Sequence, residues 1–394
     1  MEETQMKKER NSNLELLRIF CILFIIGDHF TGQSGIAEGS RTLIRAFYCS
    51  TTSLSRVACS VFIIISAWFC VDKAFRFRKI VHVWLTVIMY TVPIMLYLLY
   101  VGEISRANLI TALFPVEESP LWFAGYYIIL LLLTPMLNLL LAKAPKHLIE
   151  YFIGLFFLLL VLYPTLTARL GFFYHDIWIM IFLYLLTGYI KKYRENIPSS
   201  DKCFALFLTL WAALTLLRSL SQGYSSRLMG LVGSYLETYR ARLQTLPNLA
   251  MAYSLFFGFY GLKIKRSKVI NTLASTTLGV YVYHQVPYWY TYMWQHIYHS
   301  DRYAQILHGG RRMLYTLCCI IMVWLIGVVL ELVRDKIAAV LIENRQYCIR
   351  FCDRIDTMIN NPDGDTLFDL RLFIGIVLAV GIYMILANTL TVLL

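Results

Sequence analysis

The stretch NSNLELLRIFCILFIIGDHF, residues 11–30, decides the fold class of this chain. Its interior is an apolar run, but Glu15 and Arg18 stand near its beginning and Asp28 and His29 at its end. The apolar run is long enough for a helix that crosses a membrane, which needs about 20 residues. Ionisable side chains are costly at membrane depth, so their presence here predicts a functional site.

Arg18 and His29 lie on one face of this helix. They are eleven residues apart in the sequence, which places them within about 20° of each other around the axis and about 16 Å apart along it. His29 is the best candidate for a catalytic base, because an imidazole titrates near neutral pH. The alternative is a histidine that only donates a hydrogen bond to a backbone carbonyl within a helix bundle.

The composition extends this interpretation to the whole chain. The 394 residues are 58% hydrophobic and only 15% charged, whereas soluble domains carry about 25% charged residues. We therefore expect an all-α integral membrane protein, a polytopic bundle of ten core transmembrane helices with an eleventh at the C-terminus. The predicted spans are 16–35, 54–72, 80–101, 121–142, 149–165, 171–190, 203–218, 246–262, 270–294, 313–333 and 369–394.

The net charge of +12 follows from membrane topology and needs no nucleic-acid partner. If the N-terminus is cytoplasmic, 24 of the 36 basic residues fall on the cytoplasmic side, as the positive-inside rule requires. With eleven spans, the C-terminus is then extracytoplasmic. We expect the bacterial cytoplasmic (inner) membrane as the location and membrane lipid as a partner.

Four segments are expected along the chain. A cytoplasmic tail, 1–14, precedes the transmembrane domain, 15–334, which is followed by a cytoplasmic amphipathic linker, 335–367, and a C-terminal transmembrane helix, 368–394. The linker has an apolar stripe flanked by arginines, a pattern typical of helices on a membrane surface. The nine cysteines lie mostly in the predicted spans or on the cytoplasmic side, which argues against a disulfide framework or a zinc site.

A second buried histidine, His284, follows the basic cluster KIKRSK, residues 263–268. Counted along its helix it lies about 22 Å from the cytoplasmic surface, and His29 lies about 21 Å from Glu15. The two histidines therefore occupy a similar layer, which favours a shared polar cavity.

Basic residues near the cytoplasmic surface are candidates for binding a phosphorylated ligand. Glu15 and Arg18 are three residues apart and can pair on one helix face. Arg18 lies inside an apolar helix, whereas most other basic residues lie in loops, where the positive-inside rule is enough to explain their presence. The candidates that accompany it are Lys73, Arg76, Arg78, Lys79 and His82.

At the extracytoplasmic side, the longest loop, 219–245, is rich in tyrosine and arginine. It is either a cap that binds a polar acceptor against its aromatic rings or a helix resting at the membrane interface. Trp122 and Tyr126 either bind substrate or belong to the belt of aromatic residues at the membrane interface. Ser66 either binds substrate or is a small residue that lets two helices pack closely.

Four stretches together resemble the membrane acyltransferase 3 family: NSNLELLRIFCILFIIGDHF, VFIIISAWF, PLWFAGYYIILLLLTPMLN and STTLGVYVYHQ. The first includes the family's Arg/Lys, ten residues, then His motif at Arg18 and His29. The resemblance spans roughly 11–334. Ala67 stands where the family usually has glycine, and Arg76 and Lys79 match its paired-arginine motif only loosely.

The resemblance implies an O-acyltransferase that takes an acyl group, most often acetyl, from cytoplasmic acyl-CoA. The acceptor would be a glycan or lipid-linked saccharide of an exopolysaccharide, capsule or lipopolysaccharide. No metal and no permanently bound cofactor is implied, and acyl-CoA (acetyl-CoA) is a co-substrate. The catalytic candidates are Glu15, Arg18 and His29; the substrate-binding candidates are Ser66, Arg76, Lys79, Trp122, Tyr126 and His284.

Two other classes of function stay open at this stage. A transporter or flippase for a glycan or small polar solute would also carry buried ionisable residues. An inverted repeat or a pair of broken helices would favour this interpretation. A non-catalytic glycan-binding membrane protein would not need an ionisable side chain at position 29.

Overall fold

A computed structural model describes residues 11–37, 42–106, 108, 121–169, 175–222 and 226–360. Within these residues the chain is helical throughout and has no strand. The predicted eleventh span, 369–394, lies outside the described residues.

The helices follow one another closely along the chain. In order they are α1 (Ser12–Gln33), α2 (Thr42–Thr52), α3 (Ser55–Cys70), α4 (Arg78–Tyr100), α5 (Trp122–Lys143), α6 (Lys146–Phe156), α7 (Tyr163–Thr167), α8 (Asp176–Tyr193), α9 (Ser200–Ser221), α10 (Arg227–Ala241), α11 (Leu246–Tyr260), α12 (Lys268–Ser275), α13 (Thr277–Gln285), α14 (Trp289–Tyr292), α15 (Ser300–Ile306), α16 (Gly310–Ala338) and α17 (Gln346–Asn360). Short π-helical segments cover Phe157–Leu162, Met293–Ile297 and Ala339–Glu343.

Six helices among the described residues are long and apolar enough to cross a membrane, so the chain is a multi-pass membrane protein. They are Ile44–Cys70, Arg78–Tyr100, Trp122–Lys143, Lys146–Thr167, Ser200–Ser221 and Gly310–Glu343. The central helix α1 has three charged side chains, and α11 has only 15 residues. The number of ten core spans therefore stays a prediction.

Helix α1 lies at the centre of the bundle. Its first turn is stabilised by Asn11, whose side chain accepts a hydrogen bond from the Asn13 N–H, and by Glu15, since acidic groups are favourable at a helix N-terminus. Leu17, Ile22 and Ile26 are completely buried. The helix packs against α2, α3, α11, α12, α13 and α16.

The two ends of the bundle differ in their polar residues. At the end where α1 begins, called the basic end below, Ser12 and Asn13 hold the lysine-rich loop 262–268 by hydrogen bonds to the backbone of Leu262, Ile264 and Ser267. The opposite end, called the cap end, is covered by α10. Tyr235 and Tyr239 of α10 donate hydrogen bonds to the carbonyls of Leu166 and Thr165.

A buried ion pair joins α4, α13 and α16. Arg334 donates two hydrogen bonds to Glu331, at 2.9 and 2.6 Å, and Tyr90 donates a third at 3.0 Å. Gly279 of α13 lies directly against this carboxylate, where a Cβ atom would overlap Glu331 Oε2. The close approach of α13 to α16 therefore requires glycine at position 279.

We predict that Gly279→Ala lowers the stability of the purified protein by about 1–3 kcal/mol, the usual cost of overpacking. The Glu331 carboxylate cannot move away without breaking its hydrogen bonds with Arg334 and Tyr90. The measurement is thermal unfolding in detergent. Gly154→Ala is the matched control, since nothing lies within 4 Å of its new Cβ. Equal melting temperatures for the two variants would contradict this account of the packing.

Candidate functional site

The candidate site centres on two histidines in the middle of the bundle. His29 of α1 and His284 of α13 are in contact, with 3.0 Å between His29 Nδ1 and His284 Nε2. His284 is completely buried, whereas His29 keeps part of its surface accessible. The side chain that chemistry can reach is therefore that of His29.

A backbone carbonyl fixes the protonation of both rings. His284 Nδ1 lies 2.6 Å from the carbonyl oxygen of Val280, which can only accept a hydrogen bond. The neutral His284 ring consequently carries its proton on Nδ1 and accepts with Nε2. His29 must then donate from Nδ1, which leaves its Nε2 with a free lone pair. This tautomer of His29 is the one that can take a proton from a substrate.

Glu15 and Arg18 form an ion pair 3.5 Å apart near the basic end. Glu15 is buried, but about 29% of the Arg18 side chain is exposed. Arg18 also lies within electrostatic reach of Tyr127, whose hydroxyl is 2.9 Å from Ser66 Oγ. The Ser66 hydroxyl is therefore within hydrogen-bonding distance of α5.

A basic cleft opens close by, between the loop after α3 and helix α5. It has about 270 Å³ of free space and is lined by Lys73, Arg76 and Lys79 together with Cys70, Leu131 and Thr134. Lys79 Nζ lies 3.2 Å from Cys70 Sγ, and Cys70 Sγ lies 4.0 Å from Ser66 Oγ. Polar side chains thus lead from the cleft to Ser66 and Tyr127, and Arg18 acts on Tyr127 through its charge.

The structure divides the predicted basic cluster. Arg78 and His82 do not line the cleft: Arg78 donates to Asn344 at 2.7 Å, and His82 Nδ1 lies 2.9 Å from Glu343 Oε1. Both side chains connect α4 to the segment after α16. Of the predicted cluster, the residues that line the cleft are Lys73, Arg76 and Lys79.

The loop that forms the cleft is held by α17. Asn360 makes two hydrogen bonds with the backbone of Phe75, at 2.9 and 3.0 Å. Asp356 accepts a further hydrogen bond, at 2.6 Å, from the N–H of Phe77. The predicted linker 335–367 therefore includes a helix that orders this basic loop, a role that its amphipathic pattern does not indicate.

Trp122 and Tyr126 lie at the cap end. The Arg56 guanidinium stacks on Trp122 at 4.7 Å and pairs with Asp176 at 3.3 Å. The Tyr126 hydroxyl lies 3.0 Å from His175 Nδ1. The candidate residues thus form three groups: Glu15, Arg18, Ser66, Arg76 and Lys79 towards the basic end, His29 and His284 in the middle, and Trp122 and Tyr126 at the cap end.

Sequence reasoning missed a charged network at the cap end. Arg218 pairs with Glu237 at 2.6 Å, and Arg240 bridges Glu237, at 2.8 Å, and Asp28, at 3.5 Å. Burial of Glu237 opposes its ionisation, but Arg240 and Arg218 hold the pKa of that carboxyl below its ordinary value. An arginine inside an apolar helix, as at position 218, was the available signal. Arg240 thereby ties α10 to the residue next to His29.

The part of the chain that the structure describes contains no group of three or more His, Cys, Asp or Glu side chains arranged to hold a metal ion. All nine cysteines have free thiols.

Comparison with known protein families gives a match over most of the chain. Residues 11–331 match the family model of the acyltransferase 3 family, which is described as an acyltransferase domain. No curated protein and no solved structure matches the chain. The matched range includes both histidines, Arg18 and the basic cleft, and ends before α17.

We predict that Asp356→Ala loosens the basic loop without unfolding the bundle, because it removes the acceptor for the Phe77 N–H. Hydrogen exchange of residues 74–80 should become faster in protein reconstituted into nanodiscs. Asp353→Ala is the matched control, since Asp353 is exposed on the same helix. If exchange in this loop is the same in both variants, Asp356 does not order it.

Proposed function

Since the chain belongs to the acyltransferase 3 family and is a multi-pass membrane protein, we propose that it is an integral membrane O-acyltransferase. It transfers an acyl group, in the first instance acetyl, from cytoplasmic acyl-CoA to a hydroxyl of an extracytoplasmic polysaccharide or lipopolysaccharide. The protein lies in the bacterial cytoplasmic membrane with its N-terminus in the cytoplasm and its C-terminus outside. The basic end is then cytoplasmic and the cap end extracytoplasmic.

The observation that carries this proposal is the hydrogen-bonded series from Val280 through His284 to His29. His29 Nε2 takes the proton of the sugar hydroxyl as its oxygen attacks the thioester carbonyl. The new C–O bond forms, the C–S bond breaks, and the coenzyme A thiolate leaves and takes up the proton that His29 has removed from the hydroxyl. His29 becomes positively charged during this step, and His284 Nε2 continues to accept its Nδ1–H.

The donor enters from the basic end. Lys73, Arg76 and Lys79 in the basic cleft, together with the partly exposed Arg18, provide positive charge for the phosphates of coenzyme A. Arg18 and His29 lie on one face of α1, about 16 Å apart along its axis. This separation is within reach of the pantetheine arm that an acyl-CoA donor carries, so phosphates held near Arg18 leave the thioester close to His29.

We expect His29→Ala to lower acyl transfer by about 10²- to 10⁴-fold, the usual contribution of a general base. His284→Ala should reduce kcat with little change in the KM for the donor, because it removes only the acceptor that fixes the His29 tautomer. The measurement is mass spectrometry of the cell-surface glycan, followed by kinetics with the purified protein.

His147→Ala is the matched control for the histidine variants, since this side chain is exposed on α6. It should retain full activity. Wild-type acylation by a correctly inserted His29→Ala protein would exclude the proposed mechanism.

Arg18 provides the second test, through donor binding. A guanidinium binds phosphate through two parallel hydrogen bonds that an ammonium group does not reproduce. Arg18→Ala should weaken acyl-CoA binding about ten- to a hundredfold, the effect of losing hydrogen bonds to a charged group, and Arg18→Lys should restore only part of it. The measurement is the dissociation constant of acyl-CoA with protein in nanodiscs.

Lys202→Ala, which removes an exposed charge at the same end of the bundle, serves as the control and should bind acyl-CoA like the wild type. An unchanged dissociation constant in Arg18→Ala would place the donor phosphates elsewhere.

A further inference from the structure

A second cleft lies at the cap end, between α3, α9, α10 and α11. It has about 390 Å³ of free space, and its wall includes Arg56, Arg218, Tyr239, Thr245 and Asn248. Tyr239 and Thr245 belong to the loop 219–245, for which the sequence left open a cap that binds a polar acceptor, whereas Arg56, Arg218 and Asn248 were not sequence-based candidates. The cleft lies at the opposite end of the bundle from the basic cleft and is therefore a separate site.

Two buried polar atoms in this wall have no hydrogen-bond partner: Thr245 Oγ1 and Asn248 Oδ1. Their residues are only 1% and 3% exposed. Buried polar atoms in proteins are nearly always paired, so each exception calls for an explanation. A ligand or ordered water that supplies O–H donors would satisfy both atoms.

The position of Thr245 explains why its hydroxyl is available. Thr245 is the N-cap residue of α11, where a threonine usually accepts a hydrogen bond from one of the first backbone N–H groups. Its side chain makes no such bond here, and Pro247 lies in the first turn of the helix, where proline has no N–H to offer. The Thr245 hydroxyl is thus free of helix capping.

The three arginines that line the cleft are paired with carboxylates. Arg56 pairs with Asp176, Arg218 with Glu237, and Arg240 with both Glu237 and Asp28. Three arginines are therefore matched by three carboxylates. A ligand that is itself an anion would have to compete with these carboxylates, whereas an uncharged ligand with hydroxyl groups would not.

The remaining wall suits the apolar face of a sugar ring. The hydroxyl of Tyr239 is held by the carbonyl of Thr165 at 2.8 Å, so its ring has a fixed position at the cleft. Pro247 and Met251 line the cleft beside it. A fixed aromatic ring offers an apolar surface at little cost in side-chain entropy.

The cleft is also close to the histidine pair. Arg240, in its wall, contacts Asp28, the residue before His29. Arg56, also in its wall, lies within electrostatic reach of His29. A ligand in the cleft therefore lies at the cap end of the bundle, next to the part of α1 that carries His29.

We propose that this cleft binds the acceptor as an uncharged, hydroxyl-bearing sugar unit, with Thr245 and Asn248 as hydrogen-bonding residues and Tyr239 as the stacking surface. The assignment rests on the proposed acyltransferase function, since it identifies the cleft as the subsite for the second substrate. It implies that recognition of the acceptor depends on hydroxyl groups rather than on acidic groups of the glycan.

The test uses the full-length protein in nanodiscs and oligosaccharides released from the surface polysaccharide of the cells that make this protein. Anion exchange separates these oligosaccharides into a neutral and an acidic fraction. Equilibrium binding of each fraction is measured without donor, and transfer from radiolabelled acetyl-CoA is measured separately. Thr245→Val removes the unpaired hydroxyl at constant shape, and Asn248→Ala removes the unpaired carbonyl.

We expect Thr245→Val to raise the dissociation constant and the KM for the neutral fraction about threefold to tenfold, the loss of one neutral hydrogen bond. The KM for acetyl-CoA and the melting temperature should stay the same. Thr215→Val is the matched control, because Thr215 Oγ1 is also buried without a partner but its residue does not line the cleft. That variant should bind the neutral fraction like the wild type.

Wild-type affinity for the neutral fraction in both cleft variants would overturn the assignment and leave ordered water as the partner of these atoms. Failure of the wild type to bind the neutral fraction, or tighter binding of the acidic fraction, would overturn it as well. Binding of the neutral fraction that Thr245→Val weakens, without any acyl transfer by the wild type, would instead refute the proposed function and retain the sugar-binding cleft.

Discussion

The structure depends on one constraint: α1 carries ionisable side chains through an apolar bundle, where each one must find a partner within the protein. Glu15 and Arg18 pair with each other, Asp28 pairs with Arg240, and His29 bonds to His284. A polar group left unpaired in an apolar environment is costly. The partners of Asp28 and His29 come from α10 and α13, so these two helices are fixed against α1 by polar contacts as well as by packing.

The position of the histidine pair follows in turn from helix packing. His284 is oriented by the carbonyl of Val280, and Val280 packs against Gly327 of α16, where an added Cβ would crowd its backbone. One residue earlier in α13, Gly279 allows this helix to reach the Glu331 carboxylate. Two close approaches between α13 and α16 thus set the depth and direction of His284, and through it the tautomer of His29. The orientation of His29 on α1 therefore depends on how closely α13 and α16 approach each other.

Features that depend on the geometry of a single helix could be predicted from the sequence. The face shared by Arg18 and His29 and the similar depth of the two histidines follow from helix geometry alone. Contacts between distant segments could not be predicted in this way. Arg78 and His82 resemble their basic neighbours in the sequence, yet they bond to Asn344 and Glu343, more than 250 residues away. Likewise, nothing in the pattern of α17 distinguishes Asp356 from the other charged residues of that helix.

Two amphipathic helices at opposite ends of the bundle have equivalent structural roles. Helix α17 holds the loop of the basic cleft through bonds from Asp356 and Asn360 to the backbone, and α10 is fastened over the cap-end cleft by Tyr235 and Tyr239. Loops at the ends of a helix bundle have few buried apolar contacts to order them. Here, side-chain hydrogen bonds to the backbone of neighbouring segments provide that order, and the walls of the clefts remain polar. The shape of each cleft is therefore maintained by hydrogen bonds rather than by additional apolar side chains.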